Sequence, residues 1–206
     1  MSPPATVEAT PGQLRPDLAV IADHVEPGAR VLDIGCGDGE LLAALTAKGC
    51  DARGLEIDPT NVAACVGRGL SVMQGDADTD LAYYPDKSVD YAVLSQTLQT
   101  TRRPDLILEN LLRIAPRGFV SFPNFAHWRV RASLMLGGKM PVTKLIPVAW
   151  YETPNIHHLT IADFRALLAE RGIRAERSWY FTGGQPSRQR FANLTAEHAV
   201  FLVTRD

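Results

Sequence analysis

The stretch VLDIGCGDGELLAAL, Val31 to Leu45, constrains the chain more than any other. VLDI is apolar and β-branched enough for a buried strand. ELLAAL offers strong helix formers with leucines on one face. Between them, Gly35-Cys36-Gly37-Asp38-Gly39 sets a glycine at every second position. Glycine takes positive φ without steric cost and lets another group approach bare backbone. A tight strand-to-helix turn is made with fewer, so three predict that something lies against the chain here.

The rest of the chain alternates in the same way. Residues 1–16 are rich in Pro, Thr and Ala without periodicity and read as a flexible tail, ahead of one domain over 17–206. A helix is expected from Asp17 to His24, a strand at Arg30–Ile34, and a helix at Glu40–Lys48 closed by Gly49. ARGLEI is a second strand, and Pro59 suits the first turn of the next helix. Ser71–Gln74 and Val89–Ser95 are further strands; a helix over Pro104–Ile114 leads to the strand GFVSF. Strands alternating with helices predict a doubly wound, Rossmann-like, mostly parallel α/β sheet. Thr160 to Asp163 resembles a capping box opening a helix that stops at Gly172. IRAERSWYF and HAVFLVTR read as two last strands, with the final one antiparallel. Residues 137–159, with Gly, Pro, Trp, Tyr and His and little periodicity, form a lid-like segment.

Composition excludes several function classes. A net charge of −2 gives no pull toward nucleic acid or an anionic membrane. Cys36, Cys50 and Cys65 show no C-x-x-C spacing, so neither a disulfide framework nor a zinc site is indicated. With no apolar run of spanning length and no signal-peptide pattern at the N-terminus, the expected compartment is the cytoplasm.

The glycine loop does not fit a nicotinamide dinucleotide. In G-x-G-x-x-G/A the third small residue falls on Glu40 or Leu42, depending on the register. No G-K-[ST] follows for a phosphate loop. What remains is D-x-G-x-G-x-G over Asp33–Gly39, which resembles motif I of class I S-adenosylmethionine-dependent methyltransferases. Glu56 ends the second strand 21 residues beyond Gly35, where an acidic residue can take both ribose hydroxyls. The resemblance implies that Asp76, with the Ala77 backbone, reads the adenine amino group. It also implies that Ser95, ending the fourth strand, borders the methionine moiety, and Ile57 is placed to pack on adenine. Asp33, Gly35, Cys36, Gly37 and Gly39 complete the expected site for S-adenosylmethionine or S-adenosylhomocysteine. Taken singly, the glycines could be only a tight turn, Glu56 a solvated strand end and Asp76 a helix cap.

Three further stretches follow strands whose carboxyl ends should line the ligand crevice: SQTLQ, FPNFAHWRVR and MPVTKLIPVAWYETPNIHHLT. Gln96, Asn124, His127, Tyr151, Asn155, His157 and His158 could line it, with Trp128 and Trp150 as interface anchors. The histidines have no acidic ligand at metal spacing, so no metal site is expected. SQTLQ, PNFAHWRVR, GKMPVT, WYETPNIH and TIADF, in this order, resemble the MetW family of bacterial methionine-biosynthesis proteins. The resemblance runs from about Leu18 to Asp206. It implies a methyltransferase fold and a homoserine O-acyltransferase partner whose activity the protein supports. The competing expectation is methyl transfer to an unidentified small molecule; no N-P-P-Y-type motif and no convincing nucleophile marks an acceptor site.

Overall fold

The computed structural model describes residues 14–142 and 149–205. Eight strands form one sheet: β1 (Arg30–Ile34), β2 (Asp51–Glu56), β3 (Ser71–Gln74), β4 (Tyr91–Ser95), β5 (Arg117–Pro123), β6 (Arg174–Thr182), β7 (Gln185–Pro186) and β8 (His198–Thr204). Their order across the sheet is β3-β2-β1-β4-β5-β8-β6-β7. The first five are parallel, while β8 runs antiparallel to both β5 and β6. The order reverses between β1 and β4, which is where open α/β sheets leave a ligand crevice beyond the carboxyl ends of the strands.

Helices cover both faces: α1 (Pro16–His24), α2 (Glu40–Ala47), α3 (Pro59–Gly67), α4 (Ala77–Asp80), α5 (Pro104–Ile114), α6 (Trp128–Gly137), α7 (Ile161–Glu170) and α8 (Ala192–Thr195). Strand parity decides which core each side chain joins. Leu32, Ile34 and Leu94 pack with Ile107, Leu108 and Leu111 of α5 and Phe164 of α7. Val31 and Val93 face the other way, onto Leu18 and Ile21 of α1 and Leu41, Leu42 and Leu45 of α2. The doubly wound sheet is thus present with its expected antiparallel final strand.

The expected elements lie within a residue or two of their places, including Gly49 at φ +87° and the Thr160–Asp163 capping box. The expected tail is a partial exception. Residues 1–13 lie outside the described residues, but Leu14 already packs on the core and Arg15 bonds Ser95 before Pro16 opens α1. Helix α6, inside the stretch read as part of the crevice, has no counterpart among the expected elements. Of the lid-like segment, 143–148 lie outside the described residues. No helix among the described residues is long and apolar enough to cross a membrane.

Candidate functional site

The three glycines have three different neighbours. All take positive φ: +72°, +56° and +83° for Gly35, Gly37 and Gly39. A Cβ on Gly35 would sit 2.4 Å from Thr97 Oγ1, and one on Gly39 2.6 Å from Leu70 Cδ1. At Gly37 a Cβ would meet nothing within 4 Å among the described residues. Protein therefore fills the space at two of the three positions, and Gly37 alone of them presents open backbone.

Glu56 fixes that backbone from the end of β2. Its Oε2 accepts the Gly37 N–H and its Oε1 accepts the Asp58 N–H, each at 2.8 Å. It is buried rather than a solvated strand end. Asp33 lies on β1 beside the turn, and its buried Oδ1 has no hydrogen-bond partner among the described residues. Burial pushes its carboxyl up to about 7; Arg15 opposes this, while Glu56 and Asp17 add to it.

A polar row crosses the carboxyl edge of the sheet on the α1 face. Val31, Val93, Phe119 and Val200 make this face apolar deeper in. Asp33, Ser95, Ser121 and His198 have the same parity, nearer the edge. Asp17 of α1 ties the two serines together. Its Oδ2 accepts from Ser121 Oγ at 2.9 Å and Ser95 Oγ at 3.1 Å, and Arg15 donates to both Asp17 and Ser95. Burial works against the Asp17 carboxylate, but Arg15 and the Ser121 hydroxyl outweigh it and hold its pKa below the ordinary value. Burial lowers the pKa of His198, against the pull of Asp17. Arg15, Leu18, Asp33, Gly37 and Ser95 line a cleft of about 100 Å³, narrow beside the ~300–1,000 Å³ usual for small-molecule sites. A roomier groove of about 560 Å³ between α7 and β6 shares none of these residues.

The remaining expected residues divide. Asp76 caps α4, accepting the Asp78 N–H at 2.9 Å, with Ala77 as the first helical residue; the cap reading therefore describes its contact here. Ile57 is exposed, as a residue offering a face to a ligand would be. Cys36 lines the cleft, but burial drives its thiol further from ionisation, as it does for Cys65. Gln96 holds a left-handed φ of +54° while its N–H reaches the Ser121 carbonyl.

Asn124 must be reassigned. It is fully buried and lines no crevice: its Nδ2 reaches the Ala196 carbonyl at 2.8 Å, and its Oδ1 accepts the Ala126 and Ile161 N–H groups. An amide with four hydrogen-bonding positions suits such a junction. His127 is likewise buried, as the N-cap of α6. Gln99 joins two of the expected stretches, its carbonyl accepting the N–H groups of Ile156 and His157. His158 stands edge-on to Phe125, with centroids 4.6 Å apart, so the third stretch does meet the second. His157 Nε2 and Gln99 Oε1 are buried without hydrogen-bond partners among the described residues. Trp150 and Tyr151 stack edge to face but stay exposed, and the Asn155 N–H is held by Thr153 Oγ1. Among the described residues no group of His, Cys, Asp or Glu could hold a metal ion.

The model of the methionine biosynthesis protein MetW matches residues 15–203. This chain belongs to the MetW family. It is 30% identical to a bifunctional methionine biosynthesis protein MetXA/MetW of Rhodopirellula baltica, over 94% of this chain and 33% of that protein. The chain thus spans about a third of the length of that relative. Among solved structures, an S-adenosylmethionine-dependent methyltransferase from Archaeoglobus fulgidus superposes with a TM-score of 0.69 at 17% identity, covering 91% of each chain. Magnesium protoporphyrin IX methyltransferase from Synechocystis, solved with bound S-adenosylhomocysteine, gives 0.64 at 19% identity, over 92% of this chain and 80% of that one. These likenesses establish the fold of this MetW protein as that of the class I methyltransferases.

Proposed function

We propose that this MetW protein binds S-adenosylmethionine or S-adenosylhomocysteine between the Gly35–Gly39 turn and the ends of β2 and β4. We further propose that it supports or regulates homoserine O-acyltransferase in methionine biosynthesis. The observation that carries the pairing is the Rhodopirellula relative, in which MetXA and MetW share one polypeptide.

The chemistry of the cleft residues supports this ligand. Gly37 offers open backbone, and Glu56 retains acceptor capacity beyond the two N–H groups it holds. Asp33 Oδ1 is a buried acceptor without a donor, and an ammonium or hydroxyl group of a ligand would supply one. Arg15 lines the cleft and donates to Ser95 at 3.0 Å. Asp76 and Ile57 remain the residues proposed to meet adenine.

Calorimetry with S-adenosylhomocysteine tests the ligand, and acyltransferase turnover with and without this chain tests the role. No binding heat, or unchanged turnover, refutes the corresponding half.

A second reading is methyl transfer to a small molecule. S-adenosylmethionine would supply an electrophilic methyl group. The observation in favour is the fold, which is that of the class I methyltransferases. Formation of S-adenosylhomocysteine in the presence of a candidate acceptor would establish it.

A further inference from the structure

Helix α6 is poorly supported by its own chain. Of its ten residues only Val130 is buried, against Phe125. A helix this short is marginal in water without tertiary packing. Trp128, Ala132 and Met135 fall at i, i+4 and i+7 and share one face, with Arg129 and Leu136 alongside, and Lys139 follows the left-handed Gly138 that ends the helix. That face points outward: Trp128 is 50% exposed, Met135 81% and Leu136 82%. Large apolar side chains grouped in this way on a surface mark an interaction site.

The helix is nevertheless held firmly at its base. His127 Nδ1 accepts the Arg129 N–H, and Arg131 Nε donates to the Ala126 carbonyl at 2.6 Å. The Arg129 guanidinium lies over the Trp128 ring, 5.4 Å from its centroid. These contacts fix the first turn, so Trp128 and Arg129 lose little entropy on docking.

Charge decides what covers it. From Asn110 to Tyr151 the sequence contains no Asp or Glu, while Arg129, Arg131 and Lys139 lie on or next to α6. A second copy docking through a two-fold axis would bring the same patch, with its cations and no carboxylate of α6 to meet them. A partner carrying carboxylates around an apolar patch supplies the opposite charge.

We infer that the outward face of α6 is the docking surface for an acidic, apolar-centred patch on homoserine O-acyltransferase. This rests on the function proposed above. Met135 and Leu136 are the apolar centre, Trp128 the aromatic anchor, and Arg129 and Lys139 the cationic rim.

The test uses the full chain and the acyltransferase of the same organism, with affinity measured by calorimetry at two salt concentrations. Met135→Glu/Leu136→Glu and Arg129→Glu/Lys139→Glu should each weaken the complex tenfold or more, and added salt should weaken the wild-type complex. Circular dichroism and the unfolding midpoint should not change, because these side chains are exposed. If wild type binds and both double variants bind equally well, docking lies elsewhere and the functional proposal stands. Absence of any wild-type complex overturns both. If sedimentation shows a wild-type dimer that the variants dissolve while acyltransferase affinity is unchanged, the face belongs to a second copy.

Discussion

At the scale of single residues, the glycine turn separates steric need from ligand access. Gly35→Ala should destabilise the fold by ~2–5 kcal/mol, because it adds a clash with Thr97 to the cost of left-handed backbone. Gly37→Ala should cost only ~1–2 kcal/mol, since nothing stands near its Cβ, yet it should weaken S-adenosylhomocysteine more. Urea titration and calorimetry on the two variants check the contrast. Glu56→Ala strips an acceptor from two N–H groups, so ~1–3 kcal/mol of stability should go, and ligand affinity should fall about 10-fold or more. Asp33 makes stability depend on pH in an unusual direction. Its folded pKa of about 7 lies above the ordinary 3.8, so between these values the folded state keeps a proton that the unfolded state has lost. Stability contributed by this group therefore falls as pH rises from about 4 to 7. Asp33→Asn should flatten that slope in urea titrations run across the window. Asp17 acts oppositely and in a lower window: its stabilisation is present above its ordinary pKa and is lost as pH falls through its depressed one. Asp33 and Glu56 are legible in the sequence because a turn and a strand end fix them locally. Arg15, Asp17, Ser121 and His198 converge from remote parts of the chain. Strand parity does mark Ser121 and His198, as polar residues continuing an apolar face, but no spacing announces that they meet.

Among the elements, α7 and α6 show why some helices can be read and others not. Thr160 and Asp163 bond reciprocally across the first turn of α7, and Ile161, Phe164 and Leu168 are buried beneath it. Cap and apolar stripe agree, so both are visible in sequence. Thr160→Ala should cost ~0.5–2 kcal/mol in chemical denaturation, with a helix of unchanged extent. Helix α6 lacks that agreement, because its large apolar side chains face away from the core. The pattern that identifies a core-packed helix is absent there, and the segment reads as irregular. Hydrogen exchange should expose the difference: amides from Leu134 to Gly137 should exchange far faster than those of α5, which buries Ile107, Leu108, Leu111 and Ile114.

For the whole molecule, alternating strands and helices suffice to specify a parallel sheet and its handed crossovers, so the fold is legible almost throughout. The place of β8 follows from long-range pairing: it comes after β6 in the chain but stands between β5 and β6. This arrangement bears on how the protein is made. A nascent chain can bring β1 to β5 together while synthesis continues, but β6 has only the two-residue β7 to pair with until β8 has left the ribosome. Until then β5 presents a free edge of unpaired backbone with Phe119, Val120 and Phe122 along it, the kind of edge to which other chains add. A stalled or truncated product lacking β8 is thus a template for aggregation, and chaperones would be needed most while the segment from β6 to β8 is being synthesised.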